Sequence, residues 1–204
     1  ERGIAVAEGV GSPVAPAELT WALIMAAMRR LPQYIGNLKH GAWQQSGLKA
    51  GSMPANFGLG NVLKGKTLGI WGFGRIGQIV AGYGQAFGMN VLVWGREPSR
   101  EKAVLHGFEA AASEEDFFTR CDVLSLHRPL RADTRHMLDA HALRRMKPDA
   151  IVVNTSRGGL IDETALADAL AAGGLFGAGL DVFETEPLPA NSRLAALPNV
   201  VLTP

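Results

Sequence analysis

The stretch "TLGIWGFGRIG", residues 67 to 77, constrains the fold more than any other part of the chain. A short apolar run, Thr67–Trp71, leads into Gly72-x-Gly74-x-x-Gly77, and a helical pattern, Arg75–Phe87, follows at once. The first glycine allows a tight turn and the second lets backbone approach a pyrophosphate. The third lets the helix press close to the strand, with the anion at the helix N-terminus. In a strand–turn–helix setting this spacing points to a bound dinucleotide held by Gly72, Gly74 and Gly77. Without a ligand it is only a glycine-rich turn.

Further along, short apolar runs alternate with helical stretches. The runs are Val91–Trp94, Asp122–Leu126, Ala150–Asn154, Gly177–Val182 and Val200–Thr203. Between them lie Pro98–His106, a helix opened by Ser113 with Asp116 at capping-box spacing, Ala140–Met146 and Asp162–Ala172. Runs that are apolar on both faces belong to a parallel sheet covered by helices. The expected fold is α/β, a doubly wound parallel sheet of the Rossmann type over residues 67–204.

Residues 1–66 read as an N-terminal helix and an arm. "LTWALIMAAM", Leu19–Met28, is the helix, with Pro16 in its first turn, Glu18 and Arg29-Arg30 flanking it, and Leu31-Pro32 closing it. Gln33–Lys66 is polar and glycine-rich, holds Trp43 and Phe57, and has no core pattern of its own. Such a segment packs on something else, and a second subunit is one candidate.

Composition excludes several partners. A net charge of +1 without long like-charge runs leaves no basic face for nucleic acid. The most apolar helix is shorter than the roughly 20 residues that span a bilayer. Cys121, the one cysteine, cannot form an internal disulfide, reads as a buried inert thiol, and suits a reducing compartment. A cytoplasmic location is therefore expected. His40, His106, His136 and His141 show no metal-ligand spacing, and no metal is expected.

The cofactor's identity turns on the second strand. An acidic residue about 20 positions past the glycines would bind the adenosine ribose hydroxyls. Here "VLVW" ends in Gly95-Arg96-Glu97, so Gly95 holds the carboxylate's place and Arg96 follows, with Arg100 and Lys102 close behind. A guanidinium beside a missing carboxylate tolerates a 2′-phosphate, although Glu97 is placed to stand in for the acid. The cofactor is NAD or NADP, with the balance toward NADP.

"GKTLGIWGFGRIGQIVA", "CDVLSLHRPL", "MKPDAIVVNTSRGGLIDETALADAL" and "AGLDVFETEPLP" occur in one order along the chain. Together they resemble the D-isomer-specific 2-hydroxyacid dehydrogenases, over nearly the whole length from Gly11 to Pro204. The resemblance implies that Arg157, in "NTSRGG", contacts the carboxylate and carbonyl of a 2-oxo acid. A strand of this sheet delivers its carboxyl end to the ligand crevice, and a guanidinium holds a carboxylate by paired hydrogen bonds. Gly158 and Gly159 would let the chain turn beside the ligand.

The resemblance further implies that Glu186 orients a catalytic histidine and raises its pKa, while Glu184 lies off the motif. Asp181 corresponds to the residue that holds the nicotinamide carboxamide, with Thr155 and Ser156 in the same pocket. Arg75 and Ile76 would present backbone to the pyrophosphate. Arg128, Pro129 and Thr134 match the loop beside the adenosine and nicotinamide halves. His127 matches a histidine near the cofactor that is not the acid–base group. The "G-x-W" element, Gly41-Ala42-Trp43, resembles a dimerisation region, so a homodimer is expected.

Two departures stand out. The family's acid–base histidine would directly follow Pro204, and the family carries roughly a hundred further residues before this stretch, a typical small domain. The expectation is the nucleotide-binding part of an NAD(P)-dependent 2-hydroxyacid dehydrogenase, inactive alone. The "GRE" strand end points toward the glyoxylate and hydroxypyruvate reductases. The alternative is a nucleotide-sensing module without catalysis, either like the corepressors of this fold, against which Gly95 counts, or a truncated relative of the dehydrogenases.

Overall fold

The structure, a computed structural model, describes residues 11–41 and 59–204. The element at Ala42-Trp43 and Phe57 fall outside the described residues. The chain opens with α1 (Val14–Met28) and α2 (Leu31–Lys39). It then alternates β1 (Thr67–Trp71), α3 (Arg75–Ala86), β2 (Asn90–Trp94), α4 (Glu97–Leu105), β3 (Glu109–Ala110), α5 (Glu114–Arg120) and β4 (Val123–Leu126). The second half holds α6 (Ala140–Arg145), β5 (Ile151–Asn154), α7 (Glu163–Ala171), β6 (Gly177–Leu180), α8 (Arg193–Ala196) and β7 (Val200–Leu202).

All seven strands are parallel, in the order β3-β2-β1-β4-β5-β6-β7. Each of β4, β5 and β6 is buried at every position, as strands covered on both faces must be. The core accordingly divides in two. One half packs Phe117, Phe118, Leu124, Leu126, Leu166 and Leu170 under α5, α6 and α7. The other packs Leu23, Ile24, Met28, Ile70, Val80, Val93 and Val153 under α1, α3 and α4. The expected doubly wound fold is what the chain adopts.

Helix starts follow local chemistry. Ser113 Oγ accepts from Asp116 N (3.0 Å) while Asp116 Oδ2 accepts from Ala112 N (3.0 Å), a capping box reaching one residue further back than usual. Asp139 and Asp162 cap α6 and α7 in the simpler way. At the amino ends of the central strands the buried Asp122 accepts from Thr67 N (2.7 Å) and Lys147 Nζ (3.0 Å), tying β1 to the start of β4.

The N-terminal region differs from expectation in three ways. First, α1 begins at Val14, so Glu18 lies beyond the first turn, and α1 packs on β5, β6 and α3 inside the common core. Second, Pro32 does not close α1. Arg30 breaks it in the left-handed region (φ 52°), and Pro32 then sits at the second position of α2, where a missing N–H costs nothing. Residues 33–39 of the expected arm are therefore helical. Third, Arg30 is not a solvated helix-end charge: it is buried, its guanidinium 4.0 Å over the Phe176 ring.

Candidate functional site

Parallel register aligns the strands' carboxyl ends. Trp71 pairs with Trp94 and Leu126, Leu126 with Asn154, Asn154 with Leu180, and Leu180 with Leu202. The next residue of each strand, Gly72, Gly95, His127, Thr155, Asp181 and Thr203, therefore lies on one crest. Open α/β sheets bind ligands there, where the strand order reverses between β1 and β4.

The glycines behave as the spacing predicts. Gly72 has φ +106°, and a Cβ on it would lie 2.6 Å from His127 O. A Cβ on Gly77 would lie 2.4 Å from Gly72 O, so the third glycine is required by contact with the turn itself. Gly74 is different: a Cβ there would meet nothing within 4 Å. It would point into a cavity of about 420 Å³ lined by Gly74, Arg75, Ile76, Gly77, His127 and Ser156, and by Gly11, Ser12 and Pro13 ahead of α1. No side chain caps α3, so its first N–H groups remain for an anion. These features fit a dinucleotide pyrophosphate. The approach of residues 11–13 carried no signal in the sequence.

After β4, His127 Nε2 lies 2.8 Å from the Ser125 hydroxyl, and burial depresses its pKa to about 4. The ring is thus neutral near pH 7. An unfolded chain takes up this proton near pH 6.5 and the folded one does not. Stability conferred by the neutral ring is present above pH 6.5 and is lost as pH falls toward 4. Thermal melts between pH 7 and 4 are expected to lose part of their slope in His127→Gln; an unchanged slope would contradict the assignment.

His127, Arg128, Pro129, Ser156 and Arg157 line a second cavity of about 320 Å³ that shares His127 and Ser156 with the first. Thr134 serves the loop: its hydroxyl accepts from Arg131 N (2.7 Å) and donates to Pro129 O (2.8 Å).

Three anchors hold the turn that presents Arg157. Asn154, buried at the end of β5, donates from Nδ2 to Arg157 O (2.9 Å) and accepts from Ser156 N (3.0 Å). Ser156 Oγ donates to Leu126 O (3.0 Å), and Thr155 Oγ1 is 2.6 Å from Thr20 Oγ1 of α1. Thr20 and Asn154 are working residues that sequence reasoning missed; a polar group ending an apolar strand was the available signal. The Arg157 side chain is exposed and bonds only its neighbour's carbonyl, Ser156 O (2.6 Å), among the described residues.

The first glycine after Arg157 has a structural reason of its own. A Cβ on Gly158 would lie 1.9 Å from Phe183 C and 2.4 Å from Glu184 N. The close approach at Gly158 is to protein backbone.

Asp181 and Glu186 meet in a separate cavity of about 530 Å³, with Phe183, Leu188, Thr203 and Pro204. Thr203 Oγ1 donates to Asp181 Oδ1 (2.7 Å), and Glu186 accepts from Phe183 N (3.0 Å). Glu184 is committed elsewhere, to the His136 ring and to Arg135 Nη2 (3.3 Å).

At the end of β2, Gly95 has φ +154°, a conformation that a side chain rarely adopts, and Arg96 is exposed at the N-cap of α4. Gly95, Arg96, Arg128 and Thr134 line a further cavity of about 360 Å³, which Arg128 joins to the Arg157 cavity. Glu97 is exposed and does not line it. Of the expected site residues, Gly74 to Gly77, Gly95, Arg96, His127 to Pro129, Thr134, Ser156 and Arg157 line cavities joined by shared residues, whereas Asp181 and Glu186 line a separate one. Among the described residues no cluster of metal ligands occurs and no helix is long and apolar enough to cross a membrane.

The chain is 46% identical over 190 residues to a glyoxylate reductase of Aeropyrum pernix, covering 93% of the chain and 56% of that protein. A crystal structure of a phosphoglycerate oxidoreductase from Vibrio cholerae superposes with a TM-score of 0.90 at 50% identity, covering 99% of this chain and 62% of that one. An acyclic imino acid reductase in complex with NADPH and D-Arg gives a TM-score of 0.79 at 34% identity, covering 95% and 57%. The chain thus spans somewhat over half the length of these three relatives. The family described as "D-isomer specific 2-hydroxyacid dehydrogenase, NAD binding domain" matches residues 21–204. With the strand order, the glycine turn and the Arg157 loop already in place, the chain belongs to the D-isomer specific 2-hydroxyacid dehydrogenases, as their nucleotide-binding domain.

Proposed function

We propose that the protein reduces a 2-oxo acid to a D-2-hydroxy acid with NADPH, this chain supplying the nucleotide-binding side of the site. The single observation that carries the reading is Arg157: an exposed guanidinium without a carboxylate partner among the described residues, rigidly based, on the rim of the cavity string. The nicotinamide, when bound, supplies the hydride. Arg157 binds the substrate's carboxylate by paired hydrogen bonds and stabilises charge growing on the carbonyl oxygen. Asp181, held by Thr203, would accept from the carboxamide. Glu186 and Pro204 share one cavity. A histidine placed directly after Pro204, where the family resemblance puts it, would meet that carboxylate and have its pKa raised.

The NADPH preference rests on Arg96 and on Gly95, whose backbone disfavours the carboxylate that would select NAD. The relatives named as glyoxylate reductases support glyoxylate or a similar small 2-oxo acid as substrate. A homodimer is supported by α2, which buries none of its residues and exposes Leu31, Ile35 and Leu38 at helical spacing. Titrating the purified protein with NADPH and NADH, followed by nucleotide fluorescence, tests the reading. Tighter NADPH binding is expected, and Gly74→Val, filling open space, should abolish binding of both at an unchanged melting temperature. Equal or tighter NADH binding would overturn the NADPH assignment; binding unaffected by Gly74→Val would overturn the site.

A further inference from the structure

We infer that Arg128, on the loop after β4, is the second cation of a two-arginine clamp that recognises the 2′-phosphate of NADPH together with Arg96. The inference deepens the NADPH reading and rests on it.

The path of the side chain carries the argument. Arg128 starts from the β4 crest, yet its Cδ passes 3.1 Å from where a Cβ on Gly72 would be, and its Nη1 comes 3.7 Å from where one on Gly95 would be. It therefore lies across the end of β1 and reaches the end of β2. The Ser99 hydroxyl, in the first turn of α4, is 3.7 Å from that same point beyond Gly95. The place where a ribose-binding carboxylate would sit is thus flanked by a guanidinium and a hydroxyl, with Arg96 on the adjoining N-cap.

Charge points the same way. Neither Arg96 nor Arg128 makes a salt bridge or side-chain hydrogen bond among the described residues. Two carboxylates line the same cavity, but Glu114 is held by Arg145 Nη2 at 2.8 Å. Asp133 alone faces the two arginines. Burial lowers the pKa of Arg128, and the positive charge of Arg96 lowers it further, against the pull of Asp133. Two like charges held together in a cavity are relieved by a dianion that bridges them. A phosphate between cations from β2 and β4 would be fixed in two directions, whereas Arg96 alone, exposed at the N-cap of α4, offers only one.

The ends of the nucleotide separate this role from general adenosine binding. Affinities of NADPH, NADH, adenosine 2′,5′-bisphosphate and AMP would be measured for the wild type, Arg96→Ala, Arg128→Ala and Arg128→Gln. Loss of one charge-assisted contact is expected to weaken NADPH and the bisphosphate by about 10–100-fold, with NADH and AMP changed less than about threefold. Arg128→Gln preserves side-chain bulk should Arg128→Ala fail to fold. If the Arg128 variants weaken NADH and NADPH equally, Arg128 serves the shared adenosine and the inference fails. If the wild type prefers NADPH and the Arg128 variants keep that preference, the inference alone fails. If the wild type does not prefer NADPH, the underlying reading fails first and takes the clamp with it.

Discussion

For the 2-oxo acid reduction proposed above, Arg157→Gln is expected to lower kcat/KM by about 10²–10³-fold, the usual cost of removing one preorganised donor from a developing oxyanion. Its partial loss of substrate binding adds to the effect. NADPH affinity and melting temperature should stay near their wild-type values, because the side chain is exposed and its one hydrogen bond is to Ser156 O. Arg157→Lys should recover only part of the rate, since an ammonium cannot offer the paired, planar donors of a guanidinium. Steady-state kinetics beside a fluorescence titration checks both halves. A variant with normal kcat/KM would remove Arg157 from the reaction.

The second large effect is on folding. Gly158→Ala is expected to destabilise the protein by at least about 3 kcal/mol, toward the severe end for single substitutions. A Cβ at that position would stand 2.0 Å from Phe183 O, and neither backbone can yield without moving the turn that Asn154 anchors. For a domain of this size that corresponds to a fall in Tm of roughly 6–12 °C. Gly159→Ala provides the contrast. Its Cβ would be 3.1 Å from Leu130 Cδ2 and 3.2 Å from Arg135 Nη1, the movable ends of two side chains. A shift of about 1 kcal/mol or less is expected there. Equal melting temperatures for the two variants would show that the Gly158 contact is not structural.

These two neighbours illustrate what the sequence could and could not say. Runs such as Ile151–Asn154 were readable because a strand covered on both faces must be apolar at successive positions, whatever its partners. The glycine turn was readable because strand, spacing and helix all agreed. β3 was missed because two residues, Glu109 and Ala110, carry no period. α2 was missed because Pro32 breaks a helix or begins one depending on the conformation of Arg30, whose burial over the Phe176 ring no local pattern encodes.

In the site, Arg157, which we propose meets the substrate, was singled out by its motif and its family resemblance. Residues that act through contacts distant in sequence could not be found that way. Thr20 supports Thr155 across 135 positions, and Gly158 answers to Phe183. Arg128 was placed near the cofactor, but its reach toward Gly95 depends on a side-chain path no local pattern encodes. The substrate is the least legible of all: relatives named for glyoxylate, phosphoglycerate and imino acids share this domain.

The wholly parallel sheet also has a consequence for the birth of the molecule. No strand can form a hairpin with its sequence neighbour, and central β1 must wait for β4, which begins at Val123, to cover its second edge. At a ribosomal pace of roughly 5–20 residues per second, that edge stays open for some seconds after β1 emerges. During that interval Ile70 and Trp71 stand on opposite faces of a strand with one edge unpaired, the kind that recruits other chains. The nascent chain is therefore most in need of a chaperone before residue 126 appears, and slowing synthesis just ahead of β4 should raise aggregation more than a pause anywhere after it.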